Sequence, residues 1–132
     1  MHFLIDHVIL TAFNVGNAIF DASRIKAGKR IYHGINFALY LALVLALLIV
    51  GKSTVAEWII TPISAFANRQ LFFDITLNLL RGLKWYYVST ERPPKAIMDR
   101  IEVSFFGYNG KATTFCYTLL YINTILFYYL IH

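Results

Sequence analysis

The chain has 132 residues, 58% of them hydrophobic and only 14% charged, with a formal charge of +5 and a mean hydropathy of +0.59. Soluble globular domains carry ~25% charged residues, and a chain this short has too little interior to bury several helices that are apolar all round. That excludes an ordinary soluble domain and points to an integral membrane protein, in which the cationic excess belongs to cytoplasmic loops rather than to a nucleic-acid interface. The single Cys116 permits no intrachain disulfide and no CxxC pair. Lying in an apolar run, it is expected to be a buried structural thiol. The N-terminus lacks a basic region and Asp6 interrupts the first apolar run, so no cleavable signal is expected.

The first apolar run predicts a helix over 3–24. His7, Thr11, Asn14, Asn17 and Asp21 recur along it mostly three or four apart, which on a helix makes one stripe, with Gly16 and Ala18 beside it. Membrane helices pack and hydrogen-bond through small and polar residues of this kind. The stripe is therefore expected to face neighbouring helices, and Phe3, Leu4, Val8, Ile9 and Phe13 to face lipid; His7, near the outer end, is expected to be a satisfied interfacial histidine. RIKAGKR (24–30) supplies four cations and Gly28. It reads as a cytoplasmic turn whose Lys26, Lys29 and Arg30 meet anionic lipid headgroups. The second helix, 31–50, contains the uninterrupted run FALYLALVLALLIV, with His33 and Asn36 marking its cytoplasmic end. At about 1.5 Å per residue, a helix of this length reaches about 30 Å, the thickness of the hydrocarbon core.

GKST (51–54) is the second turn. Thr54 followed by Glu57 matches a capping box, and Trp58 sits one turn in, where an interfacial aromatic belongs. The segment 54–81 would be about 42 Å long as a straight helix, more than one span needs. Pro62 removes a backbone donor and disfavours helix at Thr61, so a kinked crossing helix is expected, in preference to a short re-entrant piece. Within RQLFFDITLNLLR (69–81), Gln70, Asp74, Asn78 and Arg81 fall on one helical face, and Leu71, Phe72, Ile75 and Leu79 on the other. A polar stripe between hydrophobic spans needs a partner or a wet cavity. Arg69 lies deeper and is expected to reach Asp21, Asp6 or such a cavity.

Gly82 ends this helix, and Trp85, Tyr86 and Tyr87 form an interfacial aromatic cluster. Pro93 and Pro94 suit the first turn of a helix. Over 95–106, Ile97, Met98, Ile101 and Phe105 recur at helical spacing opposite Lys95, Asp99, Arg100 and Glu102. This predicts an amphipathic helix on the cytoplasmic membrane surface or docked under the bundle. GYNGK (107–111) is a turn, and the last span, 113–131, carries Asn123, expected to hydrogen-bond across helices. Loop 24–30 holds four Lys/Arg and loop 81–111 six, against one in loop 51–54 and none at the C-terminus. The positive-inside rule then makes the first and third loops cytoplasmic and places both termini outside. A faint internal echo accompanies this plan: Asn17-Ala-Ile-Phe-Asp21 precedes a basic stretch with Gly28, and Phe72-Phe73-Asp74 precedes Arg81-Gly82.

The expected fold is thus an all-α integral membrane protein. It has four transmembrane helices (3–24, 31–50, 54–81 and 113–131, the third kinked at Pro62) and an amphipathic cytoplasmic surface helix. This topology brings Asp21, Asp74, Asn17, Asn78, His33, Arg24 and Arg81 to one level near the cytoplasmic face. Each ionisable group inside a membrane segment costs at least ~2.5–3.5 kcal/mol, so such a cluster requires a reason. One is structural, with Asp21 and Asp74 held by Arg81, Arg24 or His33. A second is a site on a lipid headgroup, with Asp21, His33 and Asp74 as acid–base candidates and Arg24, Asn78 and Arg81 holding phosphate. A third is a pore or transport path lined by Asp6, Asn14, Asn17, Asp21 and Asp74. There is no HExxH, phosphate-binding glycine loop or GxSxG, and neither metal nor cofactor is expected. The residues favour a non-enzymatic protein, holin-like or a small channel or transporter, whose polar stripes serve homo-oligomer assembly or permeation. A lipid-headgroup enzyme is the alternative.

Overall fold

The computed structural model describes residues 2–31, 33–51, 53–88 and 97–131, and every regular element among them is helical. These are α1 (His2–Lys26), α2 (His33–Val50), α3 (Val55–Asn68), α4 (Asp74–Leu80), α5 (Ile97–Phe106) and α6 (Gly110–Ile131), with a π-helical turn, Arg69–Phe73, joining α3 to α4. The elements lie close to the expected spans. The expected start of the surface helix, with Pro93, Pro94 and Lys95, lies outside the described residues, as do the side chains of Ile97, Met98 and Asp99.

The helix ends follow from local chemistry. Thr54 and Glu57 form the capping box: the Glu57 amide donates to Thr54 Oγ1 (3.3 Å) and the Thr54 amide to Glu57 Oε2 (2.7 Å), which satisfies donors that a helix start leaves open. α1 and α4 stop in the same way. Gly28 and Gly82 adopt φ of 66° and 72°, a left-handed conformation that glycine takes without steric penalty. The amides that follow fold back, Lys29 onto the Arg24 carbonyl and Leu83 onto the Asn78 carbonyl, both at 2.9 Å. These are paired Schellman endings, so the two halves of the sequence echo share a helix terminus.

The expected crossing helix requires that the helix continue through Pro62 rather than break there, and it does. α3 runs through Pro62 without interruption, with the proline ring exposed on the outside of the bundle. The departure from α geometry comes instead at Arg69–Phe73, where every flanking residue keeps right-handed helical angles. The segment 55–80 is therefore one helical run with a widened turn in its middle, not a re-entrant piece followed by a helix. A proline facing outward loses one backbone bond but meets no neighbouring helix. The π turn buries Arg69, Leu71 and Phe73 together.

α1 lies against α3, the π turn and α4; α2 packs on α1 and α3, α6 packs on α3 and the π turn, and α5 meets α6. Three apolar clusters bind these contacts. Leu10, Tyr40, Val44, Leu48 and Ala65 join α1, α2 and α3. Ala18, Ala22, Phe73 and Leu77 join α1 to the π turn and α4. Phe3, Ile60 and Tyr128 join α1, α3 and α6. Phe3, expected on the lipid side, is instead buried, its ring stacked 3.9 Å from Tyr128. α6 turns only a narrow stripe inward, and Cys116 and Asn123 lie off it and are exposed. Cys116 is not the buried thiol expected, and Asn123 donates to the Leu119 carbonyl of its own helix (2.7 Å) rather than across helices.

The distribution of polarity is inverted. Asn14, Ser64 and Asn68 are 0% exposed and Asp21 1%, whereas Val50, Val55, Phe105 and Leu130 are each 77% exposed or more. α1 and α6 are long and apolar enough to cross a membrane, and the apolar part of α2, Gly34–Val50, is shorter. α5 follows the same inversion: Ile101 and Phe105 point outward while Glu102 is buried against α6.

Candidate functional site in the bundle interior

The polar stripe of α1 is turned onto α3 and the π turn, where it forms a ladder of hydrogen bonds. At one end, His7 Nδ1 donates to the Phe3 carbonyl (2.9 Å) and Nε2 lies 2.8 Å from Ser64 Oγ. A carbonyl only accepts, so Nδ1 carries a proton. The Ser64 hydroxyl then has two acceptors in reach, His7 Nε2 and the Thr61 carbonyl at 3.0 Å, and one hydrogen to give. One turn further, Asn14 Nδ2 donates to Asn68 Oδ1 (2.8 Å), while Asn68 Nδ2 donates to Thr11 Oγ1 (2.7 Å) and the Tyr121 hydroxyl (3.2 Å). Four side chains from α1, α3 and α6 thus meet at one fully buried amide.

Arg69 closes the next level. Its Nη1 donates to Asn14 Oδ1 (3.2 Å), and its guanidinium lies 4.4 Å from the Phe73 ring, 5.4 Å from Tyr40 and 5.8 Å from Phe37. A weakly hydrated planar cation suits a buried aromatic box of this kind. Asp74 and Asp21 are the acidic groups that act on it electrostatically. Beyond it, Asn17 presents a buried Nδ2 with no hydrogen-bond partner among the described residues. At the far end, Asp21 accepts from Asn36 Nδ2 through both carboxylate oxygens (3.1 and 3.2 Å). From His7 to Asp21 the ladder covers about 21 Å of helix α1.

No family model matches the chain, and no curated protein or solved structure matches it either. Function is therefore read from the site alone.

A second polar region lies beside α4. Gln70, Asp74, Asn78, Glu102 and Tyr117 line a narrow cleft with room of about 30 Å³, close to one water molecule. The Tyr117 hydroxyl donates to Glu102 Oε1 (3.1 Å), and Asn78 Nδ2 donates to the carbonyls of Tyr87 (3.0 Å) and Trp85 (3.4 Å). Asn78 thus positions the segment after α4. The start of α6 comes so close to this segment that a Cβ on Gly110 would overlap the Tyr86 carbonyl and lie 3.0 Å from Val88 Cγ2.

The candidates taken from the sequence separate accordingly. Asp21 and Asn17 belong to the ladder, Asp74 and Asn78 to the cleft, and Arg69, not Arg81, is the buried cation on which both carboxylates act. Arg81 is exposed at the end of α4. Arg24 places its fork on the Arg30 carbonyl (3.0 and 2.7 Å), which holds the 24–30 turn. Lys26, Lys29 and Arg30 are exposed. His33 opens α2, and its side chain lies outside the described residues. Asp6 is half-buried near the start of α1. Ser64, Asn68, Tyr40 and Tyr121 complete the ladder without having been singled out. Asn68, next to Arg69 in an apolar segment, was the available signal. Among the described residues no group of His, Cys, Asp or Glu is arranged to hold a metal ion.

Proposed function

We propose that the protein is a small multi-pass membrane protein of non-enzymatic type. In this reading α1, α2, the α3–α4 run and α6 all cross, both termini lie outside, and loops 24–30 and 81–111 are cytoplasmic. Its working part is the internal ladder, a narrow permeation path closed by its own side chains as the chain stands. The observation that carries this reading is the ladder itself: a line of buried polar groups from His7 to Asp21 inside a bundle whose outside is apolar. Such groups are expensive in a membrane and mark ion paths, relays or interhelical pairs. The buried Arg69 and the open amide donor of Asn17 make the middle of this path attractive to a water or an anion. The apolar faces of α2 and α6 are left for association of further copies, and a detergent-corrected mass of a single chain would remove that part of the proposal.

The alternative, chemistry on a lipid headgroup, is less well served. A headgroup enzyme needs carboxylates converging in a pocket of headgroup size. Asp74 and Glu102 share space for about one water, and Asp21 lies apart on Asn36. The test is ion flux in vesicles reconstituted with the native chain, Asp21→Asn and Arg69→Gln, with helix content followed in parallel. The expected result is a native flux that the folded variants alter at least tenfold, equivalent to about 1.4 kcal/mol in the barrier. Native vesicles that never conduct, under any applied ion gradient, would sink the proposal.

A further inference from the structure

A second cleft, of about 260 Å³, shares Tyr86 with the first and is lined by Lys84, Tyr86, Tyr87, Tyr108, Asn109 and Lys111 among others. Among the described residues that line it, none is acidic. Two ammonium groups converge here from different parts of the chain: Lys84 Nζ lies 5.8 Å and Lys111 Nζ 5.1 Å from the centre of the same Tyr86 ring. Their approach depends on built features already described: Gly110 lets α6 start against the Tyr86 backbone, and Asn78 holds the carbonyls on either side of it. Two like charges brought to one ring repel each other, and an anion between them relieves that repulsion.

We infer that this cleft binds the phosphate of an anionic glycerophospholipid, with Lys84 and Lys111 as its cations and the Tyr86 ring as its floor. The surface below it selects a lipid over a soluble phosphate. Lys111, Phe115, Leu119, Ile122 and Leu126 recur on α6 at intervals of three or four, so they form one stripe. The last four are each at least 44% exposed. A phosphate held at Lys111 therefore has an apolar track of helix directly beneath it for its acyl chains, while exposed Trp85 stands beside the cleft, its ring 5.0 Å from that of Tyr86. This site is separate from the exposed cations of the 24–30 turn. It rests on the membrane reading but not on permeation.

The test uses Trp85 as reporter. The chain has two tryptophans, so a Trp58→Phe background leaves Trp85 alone. The full chain is placed in phosphatidylcholine vesicles, and brominated phosphatidylglycerol is titrated in against brominated phosphatidylcholine to measure which lipid quenches Trp85. At roughly fivefold per lysine, Lys84→Gln/Lys111→Gln should lower the preference for phosphatidylglycerol by tenfold or more, whereas Lys26→Gln/Lys29→Gln, with the same net charge, should change it no more than about twofold. Lys84→Arg/Lys111→Arg should retain the preference. An equal loss in both glutamine pairs would reduce the effect to diffuse surface charge and overturn the site, as would an unchanged preference in the first pair. Release of phosphatidylglycerol by inorganic phosphate would make the ligand a free anion and overturn the lipid assignment. If the native chain does not enter pure phosphatidylcholine vesicles, the membrane reading falls and takes the site with it; failure of the ion-flux test leaves it standing.

Discussion

Asn68 is where the interior is most sensitive to a single atom. Its amide joins Asn14, Thr11 and Tyr121, and its side chain is fully buried. Interhelical hydrogen bonds in membranes average ~0.6 kcal/mol, less than the water-soluble case, because the unfolded chain also finds partners there. Three such bonds lost together, with donors and acceptors left behind, place Asn68→Ala at about 2 kcal/mol of destabilisation. A denaturing-detergent titration of the reconstituted protein reads this directly, and a cost below that of truncating an exposed residue such as Leu130 would contradict it. Asn123→Ala makes the control: it removes only a bond to its own helix on an exposed face, so it should be close to neutral.

At the scale of elements, the contact between Gly110 and Tyr86 fixes how α6 meets the segment after α4. An added methyl has no space there, and overpacking of this kind costs typically ~1–3 kcal/mol. Gly110→Ala should therefore push residues 84–88 away from α6, seen as a shift in Trp85 emission, while Gly16→Ala, with nothing within 4 Å of the new carbon, should not. The same scale explains what was legible in the sequence. The helix positions, the Thr54–Glu57 cap, the two glycine endings and the inward stripe of α1 all follow from local rules, and the structure contains each of them. The partners of that stripe were harder to read. A strict 3.6-residue period grouped Gln70, Asp74, Asn78 and Arg81 on one face, and the first three do share the cleft, but the π turn adds nearly a residue to one revolution and resets the phase of Asn68 and Arg69 relative to them. Arg69 and Asn68 are thereby directed to α1, and Asp74 to the cleft with Glu102. No short-range pattern announces a π turn, so the single cluster of Asp21, Asp74 and Arg81 resolves into a ladder, a cleft and an exposed end. At Pro62 the outward-facing ring lets the helix continue, as the expected crossing helix requires.

For the whole molecule, the exposed thiol of Cys116 distinguishes a membrane surface from a watery one. It lies about 9 Å along α6 from Gly110 and is exposed, so in water it would react freely. Facing acyl chains in a bilayer, it is out of reach of a charged reagent that cannot enter the hydrocarbon. A membrane-impermeant, charged thiol reagent should leave Cys116 unmodified in vesicles and label it after denaturation; rapid labelling of intact vesicles would place α6 in water. The inversion of polarity also has a thermal consequence. The heat-capacity increase that bends the stability curve of a soluble protein comes from wetting apolar surface on unfolding, about 12–15 cal/mol/K per residue. Here many large apolar residues already face outward, and the interior releases amides, hydroxyls and a guanidinium along with its apolar clusters. Loss of tertiary structure within lipid wets little that was dry, so the free energy of this bundle should fall almost linearly with temperature, without the low-temperature decline that ends in cold denaturation.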